Sequence, residues 1–321
     1  MDSSDVVEDQ LLFNESANVP DITAVTYSYL LCIFGGSLSV LILFGNILVI
    51  ISIVYFKQLH TPTNFLMLSL AVADLLVGIL VVPFSIVLFV KYWHIEDLLC
   101  KVRGSLEVLL CNSSIVNLCF ISVDRYYAVC QPLRYRIKIN VRVVGIMILV
   151  SWTIATLNGI IYTLKTPDKG QKNDRCFLFQ QKSQSSIVIV FIGFGFPAIL
   201  MSSIYLKILM VAQKQARSIQ SMAKSTATVS KVERKATKTL AIVVGIFLMS
   251  WTPFFLAISF HPLSNYTIPL HVLQSFKWLG WSNSMFNPFI YAFFYSWFRS
   301  AFKMIITGKI FTDDVSNSKL S

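Results

Sequence analysis

Residues 22–56 read ITAVTYSYLLCIFGGSLSVLILFGNILVIISIVYF, 35 residues without a single Asp, Glu, Lys or Arg. Crossing roughly 30 Å of hydrocarbon takes about 20 apolar residues in a helix, so this run is longer than a soluble core helix has any use for. Residues 143–164, 183–206 and 239–276 are equally empty of those four residue types. Working outward from these blocks, seven stretches qualify as spans, centred on 27–56, 63–90, 98–130, 141–163, 184–212, 236–261 and 268–294. Of the 321 residues, 55% are hydrophobic and 13% charged, about half the charge of a soluble domain. A water-soluble globule and a disordered chain are both excluded. Alternating strand-length segments are absent, so helices must satisfy the backbone in lipid. The expected fold is an all-α membrane protein, a seven-transmembrane-helix bundle.

An odd number of spans puts the termini on opposite sides. Residues 1–21 hold six acids (Asp2, Asp5, Glu8, Asp9, Glu15 and Asp21) and no base, and no charged leader precedes the first span, so no cleavable signal peptide is expected. With the N-terminus outside, 18 of the 27 Lys and Arg fall on the cytoplasmic side, among them Lys57, Arg125, Arg134, Arg136, Lys138, Arg142 and eight bases from Lys207 to Lys238. The positive-inside rule therefore orients the chain N-out and C-in. The net charge of +11 is mostly this topology signal. The basic third inner loop also suits anionic lipid, and no nucleic-acid partner is needed to explain it. The expected organisation is an extracellular tail over 1–27, the seven-helix bundle over 28–294, a membrane-surface helix over 295–307 and a cytoplasmic tail over 308–321. Asn14-Glu15-Ser16 is a glycosylation sequon on the outer side. No internal repeat appears, which argues against a transporter of inverted halves.

Of the six cysteines, Cys32, Cys111, Cys119 and Cys130 fall within or at the inner ends of spans, where a thiol packs as a small apolar group. Cys100 opens the third span and Cys176 lies in the second outer loop, so both face an oxidising compartment and a bridge between them is expected. It would hold residues 168–182 over the mouth of the bundle.

Ionisable groups inside spans are expensive and mark function. Here they are Asp74, Glu107 and Lys277, with Asp124-Arg125-Tyr126 at the inner end of the third span. Glu107, Cys111, Ser114, Leu118, Ile121 and Arg125 recur at three-and-four spacing and share one face, which should line the interior. In the sixth span Phe247, Trp251, Phe254 and Ile258 share a face beside Pro253, which kinks the helix. A channel or transporter would need a polar file or rings of charge through the bilayer, and an enzyme a paired nucleophile and base or clustered metal ligands. His60, His94, His261 and His271 all lie near span ends. No enzyme activity and no cofactor are expected.

Gly45-Asn46, Leu70-Ala-Val-Ala-Asp74-Leu75, Asp124-Arg125-Tyr126, Trp152, Pro197, Trp251-Thr252-Pro253-Phe254 and Asn287-Pro288-Phe-Ile-Tyr291 fall on spans one to seven in order. That set resembles the rhodopsin-like G-protein-coupled receptors. Within them Phe120-Ile-Ser-Val-Asp-Arg-Tyr-Tyr-Ala-Val-Cys130, Gln131-Pro-Leu-Arg-Tyr135, Glu233-Arg-Lys-Ala-Thr-Lys-Thr-Leu240 and the run from Asn283 to Arg299 resemble trace amine-associated receptors, close relatives of other biogenic-amine receptors. The resemblance implies a small-molecule amine ligand, a heterotrimeric G protein of the stimulatory or olfactory type acting through cyclic AMP, and arrestin and receptor kinase as further partners. It implies a sodium pocket of Asp74, Ser114, Asn283 and Asn287. It makes Ile115, Pro197 and Phe247 a packing switch and Trp251 a toggle. Arg125, Tyr205 and Tyr291 become inner-face groups that rearrange for the G protein, with Arg125 latched to Asp124 and to Glu233 in the resting state. Trp297, Phe298 and Phe302 against Arg299 and Lys303 suit an interfacial helix lying on lipid.

Amine receptors of this group hold the ligand ammonium on an acid two turns inside the bridged Cys. Here that position is Glu107 in place of the usual Asp. Trp251, Phe254, Phe255 and Trp281 could add cation-π attraction. Cys111, Ile189, Val190 and Gly193 complete the expected wall, without the serines of catechol binders or the second acid of diamine binders. A small, largely apolar monoamine is the expected ligand. Lys277 lies one turn outside Trp281 on the same face, and three readings stay open for it. It snorkels outward, it pairs with Glu107, or it binds an acidic group of a zwitterionic or anionic ligand. Residues 1–27 hold no Cys, unlike many trace-amine receptors, and Trp281 stands where an opsin carries its retinal-bearing Lys.

Overall fold

The computed structural model describes residues 22–90, 97–165, 190–220, 227–260 and 268–309. Among the described residues the regular structure is helical throughout. In chain order it comprises α1 (Ile22–Tyr55), α2 (Pro62–Leu76), α3 (Val82–Val90), α4 (Asp97–Cys130), α5 (Pro132–Lys138), α6 (Val141–Lys165), α7 (Phe196–Gln220), α8 (Ala227–Phe260), α9 (Leu270–Phe294) and α10 (Ser296–Ile306). The helix α1 begins at Ile22, inside the tail expected to run to residue 27, because nothing from Ile22 to Tyr27 breaks a helix.

Among the described residues six spans are both long and apolar enough to cross a bilayer; the second joins α2 to α3. The helix α9, at 25 residues, is long enough but more polar. Its Lys277, Ser282, Asn283, Ser284 and Asn287 are all buried, whereas Leu279, Phe289 and Phe293 are exposed, so its polarity points into the bundle. It is the seventh span. The helix α4 is the axis of the bundle, packed against α6, α2 and α7, while α9 packs against α8 and α1.

Prolines shape several spans, and two of the carbonyls they free, those of Gly78 and Ser284, accept from side chains of α1. Widened turns at Val77–Val81 and Phe191–Gly195 precede Pro83 and Pro197, and there each backbone N–H reaches five residues back. Pro83 cannot donate to Gly78, and Ser39 Oγ donates to that carbonyl at 2.9 Å. Pro288 likewise cannot donate to Ser284, whose carbonyl accepts from Asn46 Nδ2 at 3.0 Å. Asn46 is 1% exposed. Asn46→Leu leaves that carbonyl unsatisfied and should cost about 1–3 kcal/mol, read as a lower thermal midpoint of the solubilised protein. An unchanged midpoint would contradict it.

At helix starts, Thr61 Oγ1 accepts from Asn64 N at 3.3 Å with Pro62 in the first turn, and Asn140 Oδ1 accepts from Val143 N at 3.0 Å. Tyr295 is extended (φ −102°, ψ 116°) and separates α9 from α10. Arg299 Nη1 donates to the Ala292 and Phe293 carbonyls, each at 3.1 Å, so a cation closes the C-terminus of α9. The buried Phe298 and Ala301 of α10 pack inward, and Trp297 meets the α1 end through Phe56 and Leu59.

Candidate functional site

The end of the bundle that carries Cys100 is called the top, and the end that carries Asp124 to Tyr126 the bottom. At the top, α4 places Arg103, Glu107 and Cys111 on consecutive turns of one face. Glu107 Oε1 lies 2.8 Å from Lys277 Nζ of α9, and Oε2 lies 3.2 Å from Arg103 Nη1. Arg103 Nη2 also donates to Ser85 Oγ of α3 at 2.6 Å. Glu107, Lys277 and Arg103 are 7%, 6% and 6% exposed, so among the described residues this is a buried cluster of one acid and two cations. Desolvation of such a cluster is offset only by close mutual pairing.

Of the three readings left open for Lys277, this geometry has the one in which it pairs with Glu107. Arg103, which was not among the expected site residues, is buried one turn above the acid. Spacing held the signal, since Arg103 and Glu107 are four residues apart on a helix. Near a span end, however, the same spacing fits a snorkelling base, and contacts from α3 and α9 decide the matter.

Aromatic rings floor the cluster. The Trp281 ring centroid is 5.4 Å from Lys277 Nζ and 5.5 Å from Arg103 Cζ. Trp278 meets Trp281 edge-on at 4.9 Å. Trp251 lies 5.9 Å from Phe254 and 5.7 Å from Phe255, and Phe255 stacks on Phe194 at 4.2 Å. Gly280 lets the Trp251 indole lie against the α9 backbone, because a Cβ there would come within 2.7 Å of the ring. Phe194 was not foreseen as a wall residue. The widened turn at Phe191–Gly195 shifts the register of the fifth span, and single-residue spacing carries no sign of it. Gly193 is half-buried with open space where a Cβ would stand, and Cys111 is half-buried with a free thiol. Ile189 lies outside the described residues.

In the middle, Asp74 is fully buried and accepts from Ser114 Oγ at 3.1 Å, Ser284 Oγ at 2.9 Å and Asn287 Nδ2 at 2.7 Å. Ser284 is the residue missed here. The Oδ1 atoms of Asn283 and Asn287 are buried without a hydrogen-bond partner among the described residues. Ile115, Pro197 and Phe247 are buried, and the Phe247 ring lies 6.2 Å from Phe194.

At the bottom, Arg125 Nε donates to Asp124 Oδ2 at 2.8 Å, and its Nη2 donates to Thr63 Oγ1. Thr63 Oγ1 donates in turn to Asp124 Oδ2 at 2.8 Å, and Tyr135 OH of α5 donates to Asp124 Oδ1 at 3.0 Å. Burial and the neighbouring Asp124 carboxylate raise the Tyr135 hydroxyl above the usual tyrosine range, so it stays a donor. Tyr205 and Tyr291 are buried, and Lys207 Nζ lies 5.2 Å over the Tyr126 ring. Glu233 is in α8, but its side chain is outside the described set. Cys100 is disulfide-bonded. Cys176, its expected partner, and Asn14 lie outside the described residues.

The description of the seven-transmembrane receptor (rhodopsin family) matches residues 45–291. The chain is also 44% identical to mouse trace amine-associated receptor 4, over 88% of this chain and 86% of that one. The chain belongs to the rhodopsin family of seven-transmembrane receptors, in its trace amine-associated branch. Rhesus macaque trace amine-associated receptor 1 is 42% identical over 94% of this chain and 93% of its own, and human trace amine-associated receptor 1 is 40% identical over 94% and 92%. It is therefore a multi-pass membrane receptor of the G-protein-coupled class and not an enzyme.

Proposed function

We propose that this receptor detects a small amine at the top of the bundle, with Glu107 as the counter-ion of the ligand ammonium. In this reading it signals through a stimulatory or olfactory G protein that raises cyclic AMP. The observation that carries the reading is a buried carboxylate set directly above a floor of Trp251, Trp281, Phe254 and Phe255. A desolvated carboxylate and ammonium form a strong charge-assisted bond, and the rings favour an apolar tail. The names of the relatives, trace amine-associated receptors, point to the same ligand class.

Because Glu107 already carries Lys277, the ammonium must take the place of Nζ. Exchange of that partner ties α4 to α9 differently with and without ligand, and only such differential binding shifts a two-state equilibrium. The kinked α8 then swings about Pro253 and frees the bottom network for the G protein. The same reading sets the chain in the plasma membrane with its N-terminus outside, Asn14 glycosylated, Cys100 bridged to Cys176 and α10 on the lipid surface. Arrestin and a receptor kinase follow from the class. An allosteric sodium ion would be held by Asp74 with Ser114, Asn283 and Asn287. The acid, hydroxyl and buried unpaired amide oxygens there are the hard oxygen donors such an ion takes.

The test uses the expressed receptor, a panel of monoamines and a cyclic-AMP readout. Lys277→Met removes the competing cation and should raise monoamine potency about tenfold, equivalent to about 1.4 kcal/mol. Adding Glu107→Gln to Lys277→Met should abolish the response at equal surface expression. An unchanged dose response in that double variant refutes the assignment of Glu107.

A further inference from the structure

From the donors left over around Glu107 we infer that the ligand also carries an acidic group, and that the receptor recognises an amino-acid-like zwitterion. The inference rests on the amine reading of Glu107 and extends it to the other end of the ligand.

Two observations carry it. The first is charge. Among the described residues one acid faces two cations within 3.2 Å, all three buried. A simple amine that enters and displaces Lys277 leaves three positive charges around one negative in a poorly screened site. A zwitterion adds no net charge. Its ammonium takes the Glu107 oxygen that Lys277 vacates, and its acid receives the displaced Nζ.

The second is hydrogen-bond inventory. Arg103 Nε and Trp281 Nε1 are buried donors without a hydrogen-bond partner among the described residues. The two side chains are 6% and 1% exposed and lie together, with Arg103 Cζ 5.5 Å from the Trp281 ring. Buried unpaired N–H groups are costly. Both unfilled positions here are donors, both belong to residues that flank the acid, and a donor pair calls for an acceptor. Ser85 holds the far Nη2 of Arg103, which fixes the guanidinium so that its Nε cannot turn away to find another partner. A carboxylate supplies acceptors for Arg103 Nε, Trp281 Nε1 and Lys277 Nζ together. Arg103 and Trp281 are then specificity-determining residues for the acid end, while Glu107 serves the amine end.

The test compares four probes with one phenyl tail: phenylalanine (both groups), phenylethylamine (amine alone), phenylalanine methyl ester (acid blocked) and 3-phenylpropionate (acid alone). Two readouts are taken on the full chain, the ligand-induced shift of thermal midpoint in detergent and the cyclic-AMP response. Phenylalanine should act at a concentration at least tenfold lower than phenylethylamine or the ester. Trp281→Phe, which keeps a ring and loses Nε1, should shrink that gap at least threefold. Arg103→Lys, which keeps the charge and loses the Nε donor, should do the same.

Phenylethylamine equal to or better than phenylalanine overturns the acid subsite and leaves the amine reading standing. So does a gap that survives in both variants. If 3-phenylpropionate matches phenylalanine, the amine reading of Glu107 fails and the acid subsite holds alone. If no acid-bearing probe shifts either readout while a monoamine does, the inference is overturned.

Discussion

Glu107→Gln should lower the thermal midpoint and surface expression sharply, whereas Lys277→Met should leave both near wild type, although the two side chains are partners in one ion pair. The asymmetry follows from the third member. Removing the acid takes the described counter-charge away from two cations, Lys277 and Arg103, in a site where each is 6% exposed. Breaking a buried pair in this way costs about 3–5 kcal/mol. Removing Lys277 instead leaves Arg103 beside Glu107 at 3.2 Å, a closed pair of opposite charges anchored by Ser85. The double variant strands one cation, not two, and should recover part of the loss. Its effect should depart from the sum of the singles by about 0.5–3 kcal/mol, as expected for side chains in contact. Equal destabilisation by the two single changes, with additivity in the double, would mean that Arg103 does not share the acid in solution. The zwitterion inference would then lose its first support.

Membrane folds are legible because lipid leaves the backbone so few options. The charge-free runs mark out the bundle, and the one span whose apolarity falls short, α9, is explained by what it turns inward: Lys277, Asn283, Ser284 and Asn287. The depth of Glu107 and Lys277 was equally legible, because an ionisable residue in the middle of a span has few places to go. Their pairing was not, since it depends on how α9 is rotated against α4. Arg103 was not foreseen for a related reason. Its position one turn from the top of α4 fits water or protein equally well until Ser85 and Trp281 arrive from other helices. Phe194 and Ser284 escaped through register. A widened turn before Pro197 changes which residues of the fifth span face inward, and Asn283 and Ser284 are adjacent, so only the packed helix shows which hydroxyl or amide donates to Asp74.

At the opposite end, Asp124→Asn should raise basal G-protein activation several-fold, with Tyr135→Phe raising it less. Asp124 is fully buried and is the anion against which Arg125 is held, through Nε at 2.8 Å. It also gathers Thr63 from the start of α2 and Tyr135 from α5, so one carboxylate joins three elements. An amide keeps the shape and loses the charge. Arg125, 9% exposed, is then a buried cation whose charge-assisted bond, worth about 1.5–3 kcal/mol, is gone from the resting arrangement. Any arrangement that offers Arg125 water or another acceptor gains by that difference. A change of about 1.4 kcal/mol is tenfold in an equilibrium constant, so even half the lower bound shows in basal turnover. Tyr135 contributes a single neutral donor to the same acid, worth about 1 kcal/mol or less, and Asp124 keeps Thr63 and Arg125 when it is removed. Nucleotide exchange on the G protein without ligand, normalised to receptor number, is the measurement. Equal basal rates in wild type and Asp124→Asn would show that this network does not hold the resting state, and the restraint on Arg125 would then have to come from α8, where Glu233 lies.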